Sequence, residues 1–123
     1  MPYALLFPGQ GAQEVGMGRE LADAYATARE TFEAADEALG FALSQTIFSG
    51  PEETLQETAY TQPAILVTGV ALARVLTKDL GVSLAPTCAA GHSLGEYTAH
   101  VIAGTFSLED AVRLVHLRGK YMQ

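Results

Sequence analysis

Apolar residues recur along this chain with two different periods. Tyr3 to Phe7 is a short apolar run stopped by Pro8-Gly9, and it predicts a buried strand. From Gly18 to Leu39, the residues Leu21, Tyr25, Ala28, Phe32, Ala35 and Leu39 return every three or four positions, with acids and Arg29 between them. That spacing predicts one amphipathic surface helix closed by Gly40. Phe41 to Phe48 predicts a short helix or turn. Gly50-Pro51-Glu52-Glu53 opens another short helix, with Pro51 in its first turn and acids near the positive end of the dipole. Gln62 to Leu80 has almost no polar face before Arg74 and Lys78, so it predicts a helix buried on several sides and ended by Gly81. Leu84 to Ala90 predicts a second buried strand, starting after Pro86. A helix from about Leu94 to Ala103 follows, ended by Gly104. Ser107 and Asp110 have the spacing of a helix cap, ahead of a last helix carrying Ala111, Val112, Leu114, Val115 and Leu117.

Strands and helices therefore alternate, which argues for an α/β fold with a parallel sheet and flanking helices. Only two strands are predicted, and a parallel sheet that small leaves its edges and faces open. The pattern is that of the first part of a larger domain. Residues 1–123 are expected to form one incomplete domain whose bare apolar surface favours self-association.

Composition narrows the function classes. The chain has 123 residues, 49% hydrophobic and 17% charged, which excludes a disordered polymer. Its net charge of −7 and pI near 4.7 disfavour nucleic acid and anionic membrane surfaces as partners. The single cysteine, Cys88, cannot form an internal disulfide and reads as a buried small side chain. Met1 to Phe7 lacks the basic start of a signal peptide. The uncharged run Thr58 to Ala73 is interrupted by Thr61, Gln62 and Pro63, and reads as too short and polar for a membrane span. A cytoplasmic protein is expected.

The chemistry sits in Gly91-His92-Ser93-Leu94-Gly95-Glu96-Tyr97. Gly-x-Ser-x-Gly between a strand and a helix fits a nucleophile elbow, where a strained turn projects the serine hydroxyl. The following helix aims free N–H groups at the reacting centre, so the Leu94 N–H is a candidate oxyanion donor. The same residues also fit a plain glycine-rich turn with a serine cap. A nucleophilic serine needs a base within about 3 Å. His92 is adjacent and should diverge from Ser93. His100 lies seven residues along a helix, about 10 Å away at 1.5 Å per residue. His116 reaches only if the last helix passes the elbow. The base is expected to lie outside this stretch of chain.

With these residues in view, the chain resembles the malonyl-CoA:acyl carrier protein transacylase family of fatty-acid synthesis, and is similar to the acyltransferase domains of polyketide synthases. The resemblance spans the whole chain. It rests on Phe7-Pro8-Gly9-Gln10-Gly11-Ala12-Gln13, Thr61-Gln62-Pro63-Ala64, the elbow, and Arg118-Gly119-Lys120-Tyr121-Met122-Gln123. It implies an α/β-hydrolase-like large subdomain, with a small ferredoxin-like subdomain and the catalytic histidine lying beyond position 123. It implies that Ser93 accepts a malonyl group from coenzyme A and passes it to the phosphopantetheine thiol of acyl carrier protein, with no metal or cofactor. Backbone N–H groups of Gln10 and Leu94 would form the oxyanion hole, with Gly9 and Gly11 letting the loop approach substrate. His92 would line the substrate site. Arg118 would bind the free malonyl carboxylate through its planar fork. Glu96, Tyr97 and Gln62 are assigned support roles at most. Arg113, Arg118 and Lys120 form a local basic cluster facing the question of carrier docking.

Two other readings stay open at this point. A serine esterase of the α/β-hydrolase class would share the elbow. A half-protein, inactive or split, would act only with a partner chain.

Overall fold

The computed structural model describes residues 2–123; Met1, the first position of the expected domain, lies outside them. The elements run β1 (Ala4–Phe7), α1 (Arg19–Ala24), α2 (Ala26–Leu39), α3 (Leu43–Ser49), α4 (Glu52–Leu55), α5 (Thr58–Arg74), a π-helical turn (Val75–Asp79), β2 (Cys88–Gly91), α6 (Gly95–Ile102) and α7 (Leu108–Met122). β1 and β2 pair in parallel, with Ala4 opposite Cys88 and Phe7 opposite Gly91. The expected α/β class, partial sheet and order of elements are all present.

The core lies among the helices. α5 runs through it, packed by α2, α6 and α7. Ala64, Leu66, Val67 and Ala71 of α5 are fully buried, as are Ala111, Val112 and Val115 of α7. Burying a leucine or valine fully contributes roughly 1.5–3 kcal/mol, so Leu66, Val67, Val112 and Val115 make this seam a substantial part of the apolar stabilisation. α7 begins where its cap spacing predicts: the Asp110 N–H donates to Ser107 Oγ at 3.1 Å.

Four expectations are corrected. The helix over 18–39 is two helices. Tyr25 is extended (φ −129°, ψ 124°), ending α1 and starting α2. Its ring packs against the core, and Arg29 Nη1 donates to the Ala22 carbonyl that the break sets free, at 2.8 Å. The strands are not buried: Leu6 is 78% exposed, because helices cover only one face of the sheet. Cys88 shares that open face through its pairing with Ala4, so it is exposed rather than buried.

The fourth correction concerns α5. It starts at Thr58, four residues early, and continues through the π-turn to Asp79 as one 22-residue helical segment, long and apolar enough by composition to cross a membrane. Most of it is buried against the other helices, as a core helix is. Pro63 sits inside it without breaking it. A proline removes the N–H that would serve the carbonyl four residues earlier, here Ala59. His116 Nδ1 serves that carbonyl instead, at 2.7 Å.

Candidate active site

The parallel pairing ends with Phe7 beside Gly91, so the loops after both strands leave the sheet together. Ligands in open α/β sheets bind at this carboxyl end. The elbow forms there. Ser93 has φ 56°, the single positive φ among the described non-glycine residues. A left-handed serine is strained and is held by its surroundings. Those surroundings are backbone. A Cβ on Gly91 would collide with the Gly95 carbonyl, and one on Gly95 with the carbonyls of Phe7 and Pro8. The elbow can therefore fold back on β1 only with both glycines present. Ser93 itself is exposed, while Leu94 is fully buried and anchors the start of α6.

The two expected oxyanion donors flank this turn. The N–H groups of Gln10 and Leu94 donate to no other group among the described residues. The Gln10 side chain is tied back, its Nε2 donating to Thr58 Oγ1 at 3.2 Å. Gly9 is buried against the elbow, where a Cβ would collide with the His92 carbonyl and press on His92 Nδ1 at 2.8 Å. His92 is exposed and leans on Gly9. Gly11 differs from expectation. Its surroundings are open, and it is glycine for its φ of +112° rather than for a close approach. Its N–H already donates to Gln13 Oε1 at 2.8 Å.

Arg118 reaches the serine from the helical layer. Its Nη2 donates to Ser93 Oγ at 3.1 Å, and its Nη1 to Gln62 Oε1 at 2.8 Å. The guanidinium carbon stands 5.6 Å from the centre of the Tyr97 ring, within cation–π range. Gln62 and Tyr97 are thus closer to the chemistry than a support role suggested. The signal for Gln62 was its place in an otherwise apolar helix, since a buried amide requires partners.

The other two histidines sit elsewhere. His116 is engaged with the Ala59 carbonyl, and His100 packs against Phe106 at 5.2 Å between ring centres. Among the described residues no histidine nitrogen is hydrogen-bonded to Ser93 Oγ. The basic cluster is also dispersed, because Arg113 turns to the Ala38 carbonyl and to Asp110. An apolar groove of about 430 Å³, lined by β1 and α5 with Phe7, Leu72 and Leu84, holds none of the site residues.

Known proteins share this family and fold. The family model described as acyl transferase domain matches residues 4–123. Malonyl CoA-acyl carrier protein transacylases are similar: that of Escherichia coli K12 is 50% identical over 121 residues, 98% of this chain and 38% of the relative. That of Bacillus subtilis strain 168 is 48% identical over 119 residues, covering 97% of this chain and 37% of the relative. The crystal structure of the acyl-carrier-protein-S-malonyltransferase from Bartonella henselae superposes with a TM-score of 0.96 at 46% identity, over 100% of this chain and 40% of that one. A malonyl-transacylase solved in complex with a type II polyketide synthase acyl carrier protein gives a TM-score of 0.93, also at 46% identity, over 100% of this chain and 39% of that one. The chain thus spans about two-fifths of the length of the relatives it matches. On the match over residues 4–123, with the elbow and arginine in place, the chain belongs to the acyl transferase domain family.

Proposed function

We propose that this chain carries the nucleophile, oxyanion donors and acyl-selecting arginine of an enzyme that moves a malonyl group from coenzyme A to the phosphopantetheine thiol of acyl carrier protein. One observation carries the reading: Arg118 Nη2 lies 3.1 Å from Ser93 Oγ. A cation this near the nucleophile suits an acyl group that bears its own anion close to the reacting carbonyl. Malonyl has that shape, and acetyl does not.

The reaction runs in two acyl transfers. Ser93 Oγ attacks the thioester carbonyl of malonyl-CoA as its proton passes to a base. The N–H groups of Gln10 and Leu94 hold the developing oxyanion, and the helix behind Leu94 adds its dipole. The carbon–sulfur bond breaks, and coenzyme A leaves as the thiol after taking the proton back. Malonyl remains on Ser93 as an ester, with its carboxylate against Arg118. The carrier's thiol then attacks the ester carbonyl by the same route, and Ser93 regains its proton. The base is supplied by chain beyond residues 1–123, consistent with the engagement of His116 elsewhere. No cofactor of the enzyme's own takes part, and the cytoplasm is the expected setting. His92 borders the acyl site beside Gly9.

The test compares acyl donors. In the full-length chain, Arg118→Ala should lower kcat/KM for malonyl-CoA by about 100-fold or more, the loss expected when a charge-assisted pair is removed. It should spare transfer from acetyl-CoA by comparison. Equal losses with both donors would exclude Arg118 as the carboxylate site. Faster turnover of a neutral p-nitrophenyl ester than of malonyl-CoA by the unmodified enzyme would favour an esterase.

A further inference from the structure

Gln62 lies on the second turn of α5, 1% exposed, among Ala59, Pro63 and Leu66. Its Oε1 accepts from Arg118 Nη1 at 2.8 Å. Its Nε2 faces only the Met122 thioether, at 3.3 Å, a weak acceptor. The amide orientation follows from this pairing. A guanidinium has donors and no acceptor, so the flipped amide would set donor against donor.

The rest of the seam between α5 and α7 is fixed. His116 Nδ1 meets the Ala59 carbonyl at 2.7 Å, and the Ala59 N–H donates to Gln123 Oε1 at 2.9 Å. Between them, a Cβ on Gly119 would stand 2.6 Å from the Thr58 carbonyl oxygen, so the backbones touch there. His116 and Gly119 of α7 and Gln123 directly after it follow one another at spacings of three and four, and fasten the helix to the first turn of α5. The backbone under Arg118 therefore cannot shift freely. What remains variable is the side chain, which has many rotamers of its own. Gln62 and Ser93 each take one N–H from a different terminal nitrogen. Each nitrogen keeps a second N–H for a ligand.

We propose that Gln62 is a positioning residue that aims the Arg118 fork at the acyl site and thereby sets the preference for carboxylate-bearing acyl groups. This rests on the malonyl reading above. The chemistry explains an amide at this place. A carboxylate would orient the guanidinium equally well but would also neutralise it, leaving little attraction for a substrate anion. An apolar side chain would leave Arg118 charged but free to swing. A buried neutral acceptor orients the cation without quenching it.

The experiment measures kcat and KM for malonyl-CoA and acetyl-CoA with the full-length chain and its Gln62→Met, Gln62→Glu, Arg118→Ala and Gln62→Met/Arg118→Ala variants. Thermal melts accompany each. Methionine conserves volume and glutamate conserves shape, so at least one folded variant is available. In Gln62→Met the ratio of malonyl to acetyl kcat/KM should fall by about 10- to 100-fold, the range for losing a hydrogen bond to a charged group, mainly through KM. Gln62→Glu should lower the ratio further while melting no lower. The double variant should show the Arg118→Ala ratio and no additional loss, as expected for residues acting as one unit. The proposal is overturned if both Gln62 variants keep the original ratio, or lose malonyl and acetyl transfer in equal measure. If the unmodified enzyme shows no malonyl preference at all, the functional reading fails first and this proposal with it.

Discussion

The helical layer and the sheet layer of this chain are built to different standards of burial. In the helical layer Leu66 is fully enclosed, and α5 is covered by α2, α6 and α7. In the sheet layer a leucine of the same size, Leu6, is 78% exposed, and among the described residues β1 and β2 pair only with each other. Ser93 belongs to the open layer and Arg118 to the closed one. Their meeting at 3.1 Å shows that the site is a seam between the two. The strain at Ser93 is therefore held by backbone packing at Gly91 and Gly95, whereas the aim of Arg118 is held by a buried core helix.

This contrast can be broken in three places. The largest effect is expected at Gly91. Gly91→Val drives a side chain into the Gly95 backbone, where nothing flexible can yield. A loss of more than about 4 kcal/mol is expected, or failure to fold, read by urea titration and by loss of acylation at Ser93. Next is Leu66→Ala, which should cost about 2–5 kcal/mol in the same titration, because the helical layer cannot collapse around the cavity. The smallest is Leu6→Ala, expected within about 0.5 kcal/mol in this chain, as for an exposed position. A Leu6 effect as large as that of Leu66 would show that the open face of the sheet is covered in solution, by self-association or by another chain.

Much of this was legible in the sequence because local rules settle it. Ser107 caps α7 through Asp110 as its spacing requires, and Gly40 and Gly104 close their helices with positive φ. The elbow was readable because glycine at 91 and 95 has one steric purpose. What was not legible depends on partners distant in sequence. Tyr25 breaks a helix whose apolar period continues across it, since its ring is drawn to the core. Pro63 reads as an interruption until His116, 53 positions later by their numbers, is seen on the Ala59 carbonyl. Cys88 and Leu6 read as buried because apolar runs imply a covered sheet, and within these residues the sheet is covered on one face. Gln62 showed only as a polar residue out of place. Its meaning needed Arg118, which comes from the other helix of the seam.

The central claim is that Ser93 carries the acyl group between coenzyme A and the carrier, with Arg118 reading its carboxylate. The most direct measurement is mass spectrometry of the full-length enzyme after brief exposure to malonyl-CoA, followed by peptide mapping and a chase with phosphopantetheinylated acyl carrier protein. The account predicts one malonyl group on the peptide containing Ser93, absent in Ser93→Ala, and discharged to the carrier in the chase. A malonyl group mapped to another residue, or carrier malonylated at full rate by Ser93→Ala, would contradict it.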